Sequence, residues 1–230
     1  MGTSLNTISS QFPKILVVTG PTASGKSDLA IQICQQFGGE IINGDSVQIY
    51  RGFDIGSSKP TVEQQGLVPH HLFSIVEASS DFDVRQFSDL ARAKAEEVSS
   101  RGKLPVVVGG TGLYLVALLC GLIEHEEISD LAFEKIESRQ LELLKQGREV
   151  SLEMHRWLAE LDPLSASKIH SNDLFRIRRA LSVVLSGGCS VQELRNSHSH
   201  SNRWCDAMVL CCLPDRVELY QSINSRVDIM

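Results

Sequence analysis

The sequence lacks the features of a membrane protein or of a disulfide-stabilised secreted protein. No apolar run approaches the roughly 20 residues that a membrane helix needs. None of the six cysteines forms a C-x-x-C pair, which favours reduced cysteines used as small apolar side chains. The first segment, Met1–Pro13, contains neither Arg nor Lys and is therefore unlike a secretory signal or an Arg-rich transit peptide. These absences predict a cytoplasmic protein with no membrane segment and a flexible N-terminus over residues 1–13.

Positive charge is also scarce, because the formal net charge is −6. Dedicated nucleic-acid binders are usually basic, so this balance counts mildly against RNA as a partner. It does not exclude RNA, since phosphates require only a local basic face. With 230 residues, 42% of them hydrophobic and 22% charged, the chain is long enough for one large α/β domain with an insertion.

Short apolar runs alternate with segments of helical periodicity. Runs rich in β-branched residues predict buried parallel strands, and the segments between them predict helices. The predicted strands are Lys14–Thr19, Glu40–Asn43, Leu104–Val108 and Ala207–Leu213; the predicted helices around them are Ser27–Phe37, Phe87–Ser99 and Val217–Met230. This alternation predicts an α/β fold with a doubly wound parallel sheet.

The pattern becomes helical and charged after Gly121, and no strand signal interrupts it up to about residue 170. Helices are expected over Leu131–Gln146 and Glu149–Leu161. We therefore expect a first part of the core over 14–121, a helical insertion over 122–170 and a second part of the core over 171–230. Because the last helix reaches Met230 without a capping signal, we expect the C-terminal part of the fold to be truncated.

One motif indicates a phosphate site. The run Gly20-Pro21-Thr22-Ala23-Ser24-Gly25-Lys26-Ser27 matches G-x-x-x-x-G-K-[ST], and it lies between a predicted strand and a predicted helix. Its glycines allow backbone N–H groups to turn inward as an anion nest, and the helix N-terminus adds a partial positive charge. Lys26 supplies a full positive charge to a phosphate, and the Ser27 hydroxyl suits Mg²⁺.

The phosphate loop alone does not identify the reaction. A kinase or NTPase usually adds an Asp at the end of a second buried strand to hold Mg²⁺. The candidate strand Leu104–Val108 is followed instead by Gly109-Gly110-Thr111. A small-molecule kinase or NTPase is therefore a disfavoured alternative.

Four further segments resemble, in order, the motifs of one family. They are Asp45-Ser46-Val47-Gln48-Ile49-Tyr50, Asp54-Ile55-Gly56-Ser57-Ser58-Lys59-Pro60, Pro69-His70-His71-Leu72 and Gly109-Gly110-Thr111-Gly112-Leu113-Tyr114. With the phosphate loop they make the chain similar to tRNA dimethylallyltransferases, the tRNA isopentenyltransferase or IPP transferase family, from about Lys14 to Met230. The resemblance implies a P-loop NTPase-like core with a helical insertion.

The resemblance also implies an activity. The expected enzyme transfers a dimethylallyl group from dimethylallyl diphosphate to the N6 amine of an adenosine next to the anticodon of tRNA and releases diphosphate. The implied partners are dimethylallyl diphosphate and the tRNA anticodon stem-loop, the implied cofactor is Mg²⁺, and a monomer is expected.

Roles carry over from the resemblance to individual residues. The expected catalytic residues are Asp45, Lys26, Thr111 and Arg216. Asp45 would take the proton of the amine, although an Asp after a strand can also cap the next turn. The expected diphosphate ligands are Gly20, Pro21, Thr22, Ala23, Ser24, Gly25, Lys26, Ser27 and Arg216, with Ser27 also at the metal. For Arg216 the alternative is a surface residue near a helix start.

Contacts with tRNA are expected at two places. The first is the motif Asp45–Gln48 after the second predicted strand, together with Thr111. The second is the run Asn172–Ala180, which resembles the N-D-x-x-R-x-x-R-A element of the family. The residues are Asp45, Ser46, Val47, Gln48, Thr111, Phe175, Arg176, Ile177, Arg178 and Arg179. On a helix, Arg176 and Arg179 are i,i+3 neighbours suited to phosphates. The insertion is likewise expected to bind tRNA.

Two alternatives stay open within the resemblance. A sister branch prenylates free adenine nucleotides, which would make this chain an adenylate dimethylallyltransferase. The D-S-x-Q-x-Y and G-G-T-x-L-Y patterns favour the tRNA branch. The second alternative is an inactive truncated fragment that keeps the ligand pocket.

Overall fold

The computed structural model describes residues 12–122, 129–187 and 204–229. Its strands are β1 Lys14–Thr19, β2 Gly39–Asn43, β3 His70–His71, β4 Leu104–Val108 and β5 Asp206–Cys211. All pair in parallel, in the order β3-β2-β4-β1-β5. The parallel α/β sheet is therefore confirmed. The two-residue strand β3 was not predicted because it is too short to show a hydrophobic period.

Nine helices accompany these strands in the described part of the chain. They are α1 Lys26–Phe37, α2 Val62–Leu67, α3 Val84–Ser100, α4 Gly112–Cys120, α5 Asp130–Lys145, α6 Val150–Leu161, α7 Pro163–Ala166, α8 Leu174–Gly187 and α9 Arg216–Ile229. Local capping sets several boundaries: Asp83 and Gln86 form a reciprocal capping box at the start of α3, and Gly38 ends α1 with φ of 67°. Sequence reasoning did not anticipate α2, α4 and α7. The α4 sequence is apolar around its whole circumference and so shows little helical periodicity.

The described residues form two compact units. Residues up to 122 and from 204 onward make the first unit, and residues 129–187 make the second. In the first unit both faces of the sheet are covered at β1, β2 and β4, as in a doubly wound fold, whereas β5 is largely exposed. In β1, Ile15 and Val17 face one core with α3 and α4, whereas Leu16 and Val18 face the other core with α1.

The second unit is a helical bundle with its own core. Helices α5, α6, α7 and α8 enclose eight buried residues: Ile136, Leu143, Met154, Leu158, Ala166, Ile177, Ala180 and Leu181. Helix α8 begins at Leu174, beyond the boundary at residue 170 that the sequence suggested. The apolar side chains Ile177, Ala180 and Leu181 of α8 are buried in the core of the helical unit. Helix α8 therefore groups with the insertion helices and not with the sheet.

The cysteines behave as the sequence predicts where the structure describes them. Five fall within the described residues, and Cys34, Cys120, Cys211 and Cys212 among them are free thiols. Burial raises the pKa of Cys34 to about 12, which keeps this core thiol protonated. No helix among the described residues is long and apolar enough to cross a membrane. Residues 1–11 of the N-terminal segment lie outside the described part.

Candidate active site

A cavity of about 820 Å³ opens at the carboxyl ends of β1, β2 and β4. Ligands bind at this edge of open parallel sheets, because the loops after the strands converge there. The phosphate loop Gly20–Ser27, the turn Asp45–Gln48 and Gly109–Thr111 all line the cavity. The structure therefore brings together three segments that are far apart in sequence.

The phosphate loop has the backbone conformation of an anion nest. Gly20, Ala23 and Gly25 have φ values of 151°, 60° and 78°, and Gly25 is the N-cap of α1. These conformations turn successive N–H groups toward one point, and the dipole of the 12-residue helix α1 adds positive potential there.

Lys26 is held at this loop as a half-buried cation. Its Nζ donates to the carbonyl oxygen of Pro21 at 3.1 Å. Burial lowers the pKa of Lys26 from its usual value, and the nearby Asp45 carboxylate partly offsets this effect. Because no carboxylate among the described residues forms an ion pair with Lys26, its charge remains for an anionic ligand.

A buried hydroxyl in the same loop has no protein partner. The Ser24 Oγ accepts and donates no hydrogen bond among the described residues although it is inaccessible to solvent. Buried polar atoms are nearly always satisfied, so an orphan hydroxyl indicates a missing ligand group. A phosphate oxygen in the nest would satisfy it.

Asp45 is fixed by the turn that follows β2. The buried Asn43 side chain accepts from the Asp45 N–H at 2.9 Å and donates to its carbonyl oxygen at 3.1 Å. The Oδ1 of Asp45 accepts from the N–H groups of Val47 at 2.8 Å and Gln48 at 3.3 Å. Asp45 thus caps the turn with one oxygen. Its Oδ2 has no hydrogen-bond partner in the described chain and is the oxygen that could serve as a base.

Thr111 joins this turn to the end of β4. Its Oγ1 accepts from the Ser46 N–H at 3.1 Å and lies 3.3 Å from the Ser46 hydroxyl. The hydroxyl that was predicted to contact the reacting groups therefore bonds the protein and holds the turn that carries Asp45. Its catalytic role stays a prediction.

Gln48 and Lys59 shape the wall opposite the phosphate loop. The Gln48 side-chain amide donates to the carbonyl oxygens of Ser57 at 2.7 Å and Ser58 at 3.1 Å. Lys59 donates to the Tyr50 carbonyl oxygen at 2.5 Å, and its side chain is only 8% exposed. The Gln48 N–H₂ group is therefore committed to the protein. Only its carbonyl oxygen is left for a base edge.

His70 and Phe73 line the same cavity, although sequence reasoning gave neither a role. Their rings meet edge to face at 5.5 Å. The His70 Nδ1 lies 2.8 Å from the Val68 carbonyl oxygen, and burial lowers the pKa of the imidazole. The lowered pKa favours the neutral imidazole, which together with Phe73 makes this part of the lining less polar.

Two glycines set the spacing of the strand ends. A Cβ on Gly109 would lie 2.0 Å from the Gly44 carbonyl oxygen, so the two backbones touch where β2 and β4 end.

We expect Gly109→Ala to lower the free energy of unfolding by about 3 kcal/mol or more, because backbone atoms cannot move aside as a side chain can. Urea unfolding would measure this change. Gly112→Ala is the matched control, since a Cβ there meets nothing within 4 Å; equal losses in both variants would contradict the steric argument.

The structure separates two arginines of α9. Arg216 lies with its guanidinium 5.6 Å from the centre of the Tyr220 ring, and the cavity lining does not include it. Arg226 lies ten residues later, lines the cavity and donates to the Ser58 hydroxyl at 3.3 Å. The Arg226 charge also lowers the pKa of Lys26. The role of Arg216 at the diphosphate stays a prediction, and Arg226 is a cation at the cavity that the sequence did not single out.

The predicted arginine cluster lies on α8 in the second unit. The Arg176 side chain is 72% exposed, with its Nε 3.4 Å from Asp173. An Arg178 nitrogen is 3.6 Å from a Glu137 oxygen, and Arg179 is exposed. Ile177 is fully buried, so its side chain is not on the surface, and its expected contact with tRNA stays a prediction. Its side chain belongs to the apolar stripe of α8, which packs into the bundle core.

The parallel sheet, the nest and the two cations at the cavity, Lys26 and Arg226, define a P-loop protein with a site that suits a phosphate or diphosphate group. A family model described as IPP transferase matches residues 48–230, and one described as isopentenyl transferase matches residues 13–71. The first match alone covers well over half of the chain. This protein belongs to the IPP transferase family.

Similar proteins agree with this assignment. The tRNA dimethylallyltransferase of Anaeromyxobacter dehalogenans (strain 2CP-C) is 41% identical over 217 residues, which cover 94% of this chain and 70% of that protein. A crystal structure of a eukaryotic dimethylallyltransferase acting on tRNA superposes with a TM-score of 0.79 at 29% identity, over 94% of this chain and 52% of that chain. A tRNA isopentenylpyrophosphate transferase from Staphylococcus epidermidis gives a TM-score of 0.59 at 34% identity, over 94% of this chain and 69% of that chain. The P-loop-like fold with a helical insertion is confirmed.

Proposed function

We propose that this chain transfers a dimethylallyl group from dimethylallyl diphosphate to the N6 amine of an adenosine next to the anticodon of tRNA. The observation that carries the proposal is a cavity in which two cations without carboxylate partners among the described residues, Lys26 and Arg226, face the same space as Asp45. Lys26 and Arg226 suit a diphosphate, and Asp45 suits a group that loses a proton. A reaction that releases diphosphate and a proton requires both.

The main electrostatic requirement of the reaction is to stabilise the diphosphate leaving group. In the transfer, the allylic carbon–oxygen bond breaks, and diphosphate leaves with the bonding electron pair. The allylic cation that develops is delocalised, so the protein mainly has to stabilise negative charge on the diphosphate. The backbone N–H groups of residues 22–27 and the side chains of Lys26 and Arg226 are preorganised donors for that charge.

The nucleophile requires a base. The lone pair of the adenine amine forms the new nitrogen–carbon bond, and the amine proton must then leave. The Oδ2 of Asp45 has no hydrogen bond from the described residues and is the candidate acceptor, and the bonds to Val47 and Gln48 hold the carboxylate in place. A base flipped out of a single-stranded loop can reach such a cavity at modest cost.

The site fits Mg²⁺ carried with the substrate. No three His, Cys, Asp or Glu side chains cluster as a metal site in residues 12–122, 129–187 or 204–229. Mg²⁺ is commonly held by substrate phosphates, waters and one or two protein oxygens. Ser27 Oγ is the protein oxygen that would hold the ion, and the ion would neutralise charge on the diphosphate.

The decisive experiment is incubation of the chain with labelled dimethylallyl diphosphate and either bulk tRNA or AMP. Label incorporated into tRNA and not into AMP supports the proposal. Efficient prenylation of AMP would assign the chain to the adenylate branch, and label released without transfer to either acceptor would refute transferase activity.

The two arginines of α9 allow a matched comparison. We expect Arg226→Gln to lower kcat/KM for dimethylallyl diphosphate by about 10- to 100-fold, the range for losing a hydrogen bond to a charged group. Arg216→Gln should change it little, because Arg216 does not line the cavity. Steady-state kinetics at saturating tRNA would measure both. The reverse order of effects would restore Arg216 as the diphosphate ligand.

Salt dependence tests the arginines of α8. If Arg176 and Arg179 contact tRNA phosphates, their double Ala variant should bind tRNA more weakly across sequences. Each lost contact should reduce the slope of log affinity against log salt by roughly 0.7–0.9. Arg156→Ala is the control, since Arg156 is also exposed but bonds Glu153 on α6. A slope that is unchanged in the double variant would contradict the assignment.

A further inference from the structure

The last residue of β2 is a polar side chain that solvent does not reach. Asn43 is 0% exposed, although asparagine is seldom fully buried. A buried amide is costly unless its oxygen and its N–H₂ group both find hydrogen-bond partners. The partners of Asn43 therefore indicate what this side chain does in the fold.

The Asn43 amide binds two segments that are far apart in sequence. Its Oδ1 accepts from the Asp45 N–H at 2.9 Å, and its Nδ2 donates to the Asp45 carbonyl oxygen at 3.1 Å. The same Nδ2 donates to the Leu72 carbonyl oxygen at 3.0 Å, across 29 positions of the chain. The side chain thus joins the turn that carries Asp45 to the segment that follows β3.

The backbone at Leu72 has an uncommon conformation. Its φ of 63° lies in the left-handed region, which large side chains rarely adopt and which persists only where surrounding contacts fix it. Two residues later, the Ser74 N–H donates to the Gln48 carbonyl oxygen at 3.1 Å. The segment after β3 therefore holds the turn Asp45–Gln48 at both ends, through Asn43 at one end and directly at the other.

We infer that Asn43 is a positioning residue that fixes the direction of the Asp45 carboxylate. The inference rests on the proposed function, in which Asp45 takes the proton of the adenine amine. Proton transfer requires hydrogen-bond reach, and a misplacement of about 1 Å can lower a rate by about 10²-fold. Loss of the Asn43 amide should therefore slow the transfer step. Binding of dimethylallyl diphosphate should persist, because the phosphate loop follows a different strand, β1.

The kinetic test compares Asn43→Ala with Ser88→Ala. Ser88 is also buried, and its hydroxyl donates to the Ala117 carbonyl oxygen at 3.2 Å, between α3 and α4. We expect both variants to lower the melting temperature. Only Asn43→Ala should lower kcat, by about 10- to 100-fold, with KM for dimethylallyl diphosphate changed less than about threefold. Asn43→Ser, which keeps a hydroxyl in the turn, replaces Asn43→Ala if that variant does not fold. An equal loss of kcat in Ser88→Ala would overturn the inference.

A double-mutant cycle shows whether Asn43 acts through Asp45. In the Asp45→Asn background, Asn43→Ala should lower the residual rate by less than about twofold, since positioning matters only while the base is present. If the two losses multiply instead, Asn43 acts independently of Asp45, and the inference is wrong.

Hydrogen exchange tests the positioning without turnover. In Asn43→Ala, the N–H groups of Asp45, Val47 and Gln48 should exchange about tenfold faster or more, whereas the amides of β1 should keep their rates. Unchanged exchange in the turn would overturn the inference whatever the kinetics show. If the unmodified chain transfers label to neither tRNA nor AMP, the proposed function fails, and the exchange rates still decide whether Asn43 holds the turn.

Discussion

Replacement of Asp45 by Asn should lower the rate of transfer by about 10²–10⁴-fold while diphosphate binding survives. Asn keeps the side-chain oxygen that accepts from Val47 and Gln48, so the turn after β2 should persist. It cannot take a proton at neutral pH, so the amine loses its base. Single-turnover rates with bound dimethylallyl diphosphate would measure the chemical step directly.

Asp28→Asn is the matched control for Asp45→Asn. Asp28 also lines the cavity, but its Oδ1 accepts from the Gln64 amide at 3.3 Å, and an Asn oxygen there could do the same. We expect this control to retain most of the activity. If Asp45→Asn lost diphosphate binding together with turnover, Asp45 would be better described as a structural or metal-supporting residue.

Lys26→Ala should reduce transfer by about 10²–10³-fold, by analogy with the loss of a single charge-stabilising donor. The Lys26 ammonium is half-buried and has no ion pair in the described chain, so its charge is directed at the ligand with reduced screening by water. Its loss should affect the bound diphosphate and, more strongly, the charge that develops as the allylic bond breaks. Measured kcat and KM would show both effects.

Lys14→Ala controls for loss of a positive charge on the same strand. Lys14 is the exposed first residue of β1, at the opposite end from the phosphate loop. We expect this variant to transfer at a rate near that of the unmodified chain. Near-normal turnover in Lys26→Ala would show that the loop does not hold the leaving group.

The sequence was sufficient to predict those parts of the site whose conformation depends on a few consecutive residues. The phosphate loop could be recognised from Gly20, Gly25 and Lys26, because nest geometry depends on a few consecutive residues. The loop conformation and the position of Asp45 after β2 agree with that prediction. Both segments directly follow a parallel strand. Because the carboxyl ends of parallel strands lie at one edge of the sheet, the residues after them are placed at that same edge.

Contacts between distant segments were not predictable in the same way. Thr111 was expected to contact the reacting groups, yet its hydroxyl binds Ser46, a residue 65 positions away in sequence. Gln48 was expected to contact tRNA, and in the structure its amide nitrogen holds the segment at Ser57 and Ser58. Such contacts depend on the positions that two separate turns take in the folded chain. Hydrophobic periodicity and motif spacing do not determine those positions.

By itself, the sequence determined the parallel α/β class, the phosphate loop and the resemblance to tRNA dimethylallyltransferases, because strand periodicity and nest-forming glycines are local properties. Only the tertiary structure decided which arginine of α9 reaches the cavity. Arg216 and Arg226 lie on one helix, and the position of that helix places Arg226 but not Arg216 in the cavity lining. The tertiary structure likewise assigned α8 to the helical unit, because its apolar stripe is buried against α5 and α6.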